Sequence, residues 1–341
     1  MSDKRKVLYV CTASHTERVF GPEKYQEFLD LFEVTANETG ESWTSEEVAE
    51  RVEGMDAVVT GWGAPPTTEE FYENADKLKI IAHSAGSVRG LIPTELAEKY
   101  VAPRGIVVFS ANKSIAYNVA ESAVGMLLMT MRHWVQFSNH YHETGQWRQP
   151  IYDRNGQFLK GSTVGIVSVS KVGREVIKLL GPWDLTIVVY DPYLSEEDAA
   201  ELGVEKVELN ELFERSDHVT VHAPSIPETE KMIGAEQLAL LREGSSLVNT
   251  SRGSVIDHDA LLVECKRRRL FVCLDVTTPE PLPPNSGFRF LDNVIITPHC
   301  SGAGYYGYHD IGDSTVKALV DFFNGDPVEG AVNFEMYTTL A

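Results

Sequence analysis

The chain has 341 residues, about two ordinary domains' worth, and its 43% hydrophobic and 23% charged residues are the proportions of a soluble globular protein with a real core. Its formal net charge of −20 opposes nonspecific binding to nucleic acid or to an anionic membrane surface, so neither is expected as a partner. Four cysteines (Cys11, Cys265, Cys273, Cys300) show no CxxC or CxxH spacing, which points to reduced thiols rather than a disulfide framework or a zinc site.

The first apolar run after the basic start is five residues long, too short for a signal-peptide core, and Ala123 to Met131 is interrupted too soon on both sides for a membrane span. A soluble, cytoplasmic protein is the expectation. Lys6 to Thr12, Ala57 to Thr60, Lys79 to His83 and Ile106 to Ser110 read as short buried strands, with helix-like patterns such as Thr44 to Val52 between them. That alternation predicts a first α/β domain built on a parallel sheet. From Ser114 to Glu143 the pattern predicts one long helix, stopped by Gly145 and apolar on more than one face (Val119, Val124, Leu127, Leu128, Met131, Trp134). Such a helix is often buried against a second subunit, so a homodimer through 114–143 is expected. His133, His140 and His142 lie on it without an i, i+4 pair; a polar face is the default and no metal is expected.

The segment Gly161 to Asp191 reads as strand Val164 to Val169, a helix carrying Val172, Val176 and Leu179 on one face, then strand Leu185 to Tyr190 ending in Asp191. This is the layout of a dinucleotide site, whose turn needs three small residues to bend, to let the backbone approach a pyrophosphate, and to pack helix on strand. Here they are Ser168, Ser170 and Gly173. Serine pays a steric penalty at positive φ that glycine does not, and the competing reading is an ordinary turn that binds nothing.

Alternation continues with strand Val219 to His222, helix Thr229 to Leu241, strand Ser246 to Thr250, a helix from Asp257, and strands Phe271 to Asp275 and Val294 to Thr297. The basic run Lys266 to Arg269 reads as a solvated helix end. Asp191, His222, Thr250, Asp275 and, just past the last strand, His299 all fall at strand carboxyl ends, which line the ligand crevice of an open parallel sheet. Singly, Arg252, Glu280 and His299 have dull explanations as solvated or structural residues. Together they match a chemical need. Interconverting a 2-hydroxy and a 2-oxo acid requires a cation for the carboxylate and carbonyl, an acid/base near neutrality, and a carboxylate to orient that base. Arg252, His299 and Glu280 fill those roles in that order.

On these residues, on YDPY at 190–193, and on the blocks VHAPSIPETEKMIGAEQLALLREGSSLVNTSRGSVIDHDAL, LDVTTPEPLPP and NVIITPHCSG, the chain resembles the D-isomer-specific 2-hydroxyacid dehydrogenase family. The resemblance implies a two-domain α/β enzyme: a Rossmann-type NAD-binding domain over 112–304, inserted in a flavodoxin-like substrate domain of residues 1–111 completed by 305–341. It maps the catalytic trio onto Arg252, Glu280 and His299. It assigns the adenosine ribose to Asp191 and the nicotinamide amide to Asp275. Ser170, Lys171 and Val172 fall at the phosphate turn, and His222, Pro224, Thr250, Ser301 and Gly302 also fall against the cofactor. The amides of Gly86, Ser87 and Val88, with Arg252, would hold the substrate carboxylate. No Lys or Arg closely follows Asp191, which favours NAD over NADP.

The chain departs from the family at the glycine turn and at Arg89, which either reads a distal anionic group of the substrate or faces solvent. Cys300 is either oxidant-sensitive or inert. Tyr305, Tyr306 and Tyr308 either wall the pocket or pack at a hinge. The expected function is hydride transfer between NAD(H) and a small 2-hydroxy or 2-oxo acid. The alternative is an NAD(H)-binding sensor or partner-binding protein on the same fold, with little turnover because of its degenerate phosphate loop.

Overall fold

The computed structural model describes residues 4–37, 39–147, 156–302, 304–334 and 337. It divides into two compact units, residues 1–115 with 303–341, and residues 116–302. Each is a wholly parallel sheet between helical layers.

The first unit contains strands β1 (Lys6–Tyr9), β2 (Glu33–Ala36), β3 (Ala57–Thr60), β4 (Ile80–His83) and β5 (Val107–Ser110), in the order β2-β1-β3-β4-β5. This is the doubly wound order of flavodoxin-like sheets, reversing at β1 and β3. Strands β3 and β4 are buried at every residue, and read as continuous apolar runs because helices cover both faces. Strand β2 is an edge with exposed and half-buried residues in alternation. It has no apolar run, so the sequence does not announce it. The helix Ser45–Arg51 starts in a capping box: Glu47 N–H donates to Thr44 Oγ1 while Glu47 Oε2 accepts from Thr44 N–H. Near the end of the chain, Ser110 N–H donates to Gly330 O and Val332 N–H to Val108 O, so the last stretch pairs with β5.

The second unit contains β6 (Thr163–Val167), β7 (Thr186–Tyr190), β8 (Glu205–Lys206), β9 (His218–Val221), β10 (Ser245–Asn249), β11 (Leu270–Leu274) and β12 (Val294–Ile296). Their order is β12-β11-β10-β9-β6-β7-β8, with the reversal between β6 and β9. The two-residue edge strand β8 also escapes sequence patterning.

Two expected helices are corrected. The pattern over 114–143 is not one helix but two, Asn112–Met131 and Trp134–Thr144, separated where His133 adopts φ +54. The left-handed residue turns the imidazole inward, where it stacks on Phe271 at 3.8 Å and its Nδ1 meets Thr130 O at 3.1 Å. Burying that ring outweighs continuing the helix. The pattern over 229–241 yields only Ala235–Leu240. Its earlier N–H groups are taken by the neighbouring segment instead, Lys231 by Ser254 O and Ile233 by Val255 O. The run Lys266–Arg269 is more than a solvated helix end: Arg267 and Arg269 hold the buried Glu264 carboxylate, and Arg269 also donates to the carbonyls of Leu238 and Leu241.

Besides His133, four histidines are buried among the described residues: His83 and His218 within β4 and β9, His222 just past β9, and His15 against Ser84 just past β4. In the first unit Ser84 Oγ donates to Thr60 O, so it accepts from His15 Nε2 at 2.8 Å, and His83 Nδ1 meets Thr60 Oγ1 at 2.8 Å. Burial pushes His15, His83 and His218 down to about 4 and His222 down to about 3. Above pH 6.5 these rings are neutral whether the chain is folded or not. As pH falls from 6.5 toward 4, only the unfolded chain takes up protons, so stability is lost across that window, by up to roughly 3 kcal/mol per histidine. Thermal midpoints recorded from pH 8 to 4.5 are expected to fall below pH 6.5, and His83→Gln is expected to make that fall shallower.

Candidate functional site

Strands of the second unit stop one residue short of their polar ends: β7 at Tyr190 before Asp191, β9 at Val221 before His222, β10 at Asn249 before Thr250, β11 at Leu274 before Asp275. These residues therefore share one rim of the sheet.

The turn after β6 sits at the strand reversal, where open α/β sheets bind ligands. Ser168 stands at φ +75 in the place of the first glycine. A Cβ on Gly173 would lie 2.3 Å from Ser168 O, so the helix Lys171–Leu180 packs on the turn only because this position is bare. Ser170 caps that helix, accepting from Gly173 N–H at 3.4 Å while its hydroxyl donates to His222 O at 3.0 Å. The first-turn amides of Lys171 and Val172 have no intrahelical acceptor, the condition for receiving a phosphate. Asp191 is 9% exposed; its Oδ2 accepts from Val169 N–H at 2.8 Å and Ser168 Oγ at 3.2 Å, and its Oδ1 from Tyr193 N–H at 2.9 Å. The bare Gly173, the open amides and the acidic strand end fit a dinucleotide. His222, neutral and buried, bonds Thr220 Oγ1 at 3.0 Å and Thr250 Oγ1 at 3.4 Å, so it braces the floor beside Thr250. Pro224 follows, half-buried.

Asp275 is the anchor of the opposite side. It is 1% exposed, and its Oδ1 accepts from Thr297 Oγ1 at 2.6 Å and Cys300 N–H at 2.9 Å, its Oδ2 from Ser301 N–H at 3.0 Å. Burial pushes its carboxyl up, but the bonds from Ser301, Thr297 and Cys300 outweigh that and hold it below the usual range. The loop 297–301 is thereby fixed to β11, with His299 N–H on Asp275 O at 2.9 Å and His299 at φ +50. His299 Nδ1 meets Glu280 Oε1 at 2.6 Å, both side chains about half exposed. Glu280 is braced through Oε2, which accepts from Thr277 N–H at 3.3 Å.

Arg252 joins this group through its neighbour. A Cβ on Gly253 would lie 2.2 Å from the carbonyl carbon of Thr277 and 2.6 Å from Thr278 N, so the Arg252 loop rests against the strand exit that leads to Glu280. Asn249, fully buried, shapes that loop: its Oδ1 accepts from Ser251 N–H at 3.0 Å and its Nδ2 donates to Arg252 O at 3.0 Å. The Arg252 guanidinium is half-buried and donates to Ser251 O at 2.7 Å. Sequence reading passed over Asn249 and Thr297; an Asn or Thr at a strand end beside an ionisable residue is the signal that could have found them. Ser301 is buried and Gly302 half-buried at the end of the same loop. The Cys300 thiol is exposed, and partial desolvation with Asp275 beside it pushes it up, away from the reactive thiolate.

In the first unit, the loop after β4 holds Gly86, Ser87 and Val88, whose N–H groups have no acceptor among the described residues. Ser110 Oγ donates to Gly86 O at 2.6 Å and fixes the loop. Arg89 is partly exposed, its N–H on Ser87 Oγ at 3.4 Å. Tyr308 packs edge-on against Trp62 at 5.8 Å with Arg18 over its ring, and Tyr306 is 82% exposed. The Tyr305 side chain lies outside the described residues. Among the described residues, no group of His, Cys, Asp and Glu could hold a metal, and no helix is long and apolar enough to cross a membrane.

The family profile described as D-isomer specific 2-hydroxyacid dehydrogenase, NAD binding domain, matches residues 124–301. The chain is 32% identical over 305 residues to a D-3-phosphoglycerate dehydrogenase of Methanocaldococcus jannaschii, covering 89% of this chain but 56% of that one. It is 32% identical over 292 residues to a glyoxylate reductase of Korarchaeum cryptofilum, covering 85% of this chain and 86% of that one. The apo structure of Rhodotorula graminis D-mandelate dehydrogenase shares the fold, at a TM-score of 0.81, 22% identity, and coverage of 97% and 98%. A doubly wound sheet with a turn that fits a dinucleotide at its reversal, and an imidazole on a carboxylate along the same rim, defines the class of dinucleotide-binding folds. The chain belongs to the D-isomer-specific 2-hydroxyacid dehydrogenase family, and the matched span is that family's NAD-binding domain.

Because Gly253 abuts backbone that cannot swing away, Gly253→Ala is expected to destabilise the second unit by about 2 kcal/mol and to displace Arg252. Urea denaturation followed by tryptophan fluorescence checks the first effect.

Proposed function

We propose that the protein is an NAD-dependent oxidoreductase acting on a small D-2-hydroxy acid or the matching 2-oxo acid. The observation that carries this reading is the 2.6 Å contact of His299 Nδ1 with Glu280 Oε1, half exposed beside the Arg252 loop. An ionised carboxylate only accepts, so Nδ1 bears the hydrogen toward Glu280 and Nε2 is left to exchange a proton. In reduction His299 Nε2 gives its proton to the substrate carbonyl oxygen, and in oxidation it takes the hydroxyl proton. Glu280 fixes the ring orientation and stabilises the imidazolium. Arg252 holds the substrate carboxylate and polarises the carbonyl. In the first unit, the open amides of Gly86, Ser87 and Val88 are assigned to binding an anionic group. Asp191 would receive the adenosine ribose, the amides of Lys171 and Val172 the pyrophosphate, and Asp275 acts by positioning loop 297–301. The bound cofactor supplies the hydride acceptor or donor.

The chain spans about half of the phosphoglycerate dehydrogenase and most of the glyoxylate reductase, and the substrate is proposed only as a class, the small 2-hydroxy and 2-oxo acids. A panel of glyoxylate, hydroxypyruvate, pyruvate and phenylpyruvate with NADH and NADPH in parallel tests this, read by loss of absorbance at the nicotinamide band. His299→Ala and Arg252→Ala are each expected to lower kcat/KM at least about a hundredfold, with NADH binding retained in the His299 variant by fluorescence titration. NADH binding with no turnover of any acid would make the chain a sensor instead.

A homodimer is part of the proposal. Trp134 is 54% exposed and Trp147 84% exposed, and Tyr141 stacks edge-on against Trp147 at 5.8 Å, a concentration of outward aromatic surface on and after the helix Trp134–Thr144. Light scattering on the eluting protein is expected to give twice the chain mass, and Trp134→Glu is expected to shift it toward the monomer.

A further inference from the structure

We propose that the Ser168 hydroxyl competes with the adenosine ribose for the Asp191 carboxylate, so that Ser168 sets how tightly this chain grips the ribose diol. The inference rests on the assignment of the 168–191 segment to the cofactor.

An ionised carboxylate offers about four acceptor positions. At Asp191, Val169 N–H and Ser168 Oγ occupy Oδ2, and Tyr193 N–H occupies Oδ1. A diol held through both hydroxyls needs two positions, and the arrangement leaves one. The two amides belong to backbone that the turn and the strand exit fix in place. The serine hydroxyl hangs on a single rotatable bond and makes the longest of the three contacts, 3.2 Å against 2.8 and 2.9 Å. It is therefore the donor that must leave when the diol arrives. A glycine at this place has no hydroxyl and leaves both positions open. Ser168 also stands at φ +75, where a Cβ is strained, so the side chain is retained against a conformational cost. Ser170 differs: its hydroxyl is held between His222 O and Gly173 N–H and does not meet Asp191.

The test is calorimetric titration of the full-length protein, and of its S168A and S168G variants, with ADP and with 2′-deoxyADP. S168A is expected to bind ADP roughly three- to tenfold tighter than the unsubstituted protein, with the affinity for 2′-deoxyADP unchanged, because only the full diol needs the second acceptor. Both variants lose the serine bond, so their difference reports the backbone alone; S168G is expected to melt roughly 2 °C above S168A without ligand. An ADP affinity that is unchanged or weaker in S168A, or an equal gain for both nucleotides, overturns the competition. If the unsubstituted protein binds neither ADP nor NADH, the cofactor assignment itself fails and the inference falls with it.

Discussion

A single carboxylate, out of reach of solvent, determines where the imidazole stands. Asp275 lies at the end of β11 and receives a hydroxyl and two amides from the loop 297–301, while its own carbonyl takes the N–H of His299. The loop has no regular structure of its own and would otherwise have many conformations. Bonding it to the sheet at four points holds His299 in a left-handed conformation that an isolated residue rarely adopts. Only then does Nδ1 come within 2.6 Å of Glu280. The charge that does this is kept ionised by the same donors it organises, so the anchor and its load are mutually dependent.

The same logic appears on both sides of the strand reversal, with backbone close approach in place of charge. Gly173 lets the helix settle on the turn, and Gly253 lets the Arg252 loop settle on the exit of β11. The scaffold thus supplies rigid strands, and the chemistry-bearing groups are carried by the first few residues beyond them. Loops held in this way combine the variability of irregular structure with the precision of a sheet.

Much of this was legible in the sequence. The buried strands are short unbroken apolar runs because both sheet faces are covered, and each expected end fell within a few residues of the observed one. The convergence of polar residues at strand ends was visible because strand carboxyl ends share one rim whatever the loops do. What escaped detection was of two kinds. Edge strands β2 and β8 are half exposed and carry no apolar signature. The pattern over 114–143 does not show its break, nor that over 229–241 its late start, because periodicity cannot register a single left-handed histidine packed on Phe271, or N–H groups captured by a segment some twenty residues away. Asn249 holds Ser251 and Arg252 within its own loop, so its place at a strand end is a local signal, whereas the partner of Thr297 is Asp275 on another strand, which its position alone does not name.

The glycines differ in a way that bears on how the sequence can drift. A methyl group at Gly61 would strike the ring of His15, a side chain that a second substitution could shorten. At Gly253 and Gly173 the obstruction is main chain, of Thr277, Thr278 and Ser168, which every residue type possesses. The first position is open to suppression by a compensating change elsewhere, and the other two are not. Lineages of this chain can therefore exchange the Gly61 and His15 pair together, whereas the two rim glycines have no partner whose replacement would release them.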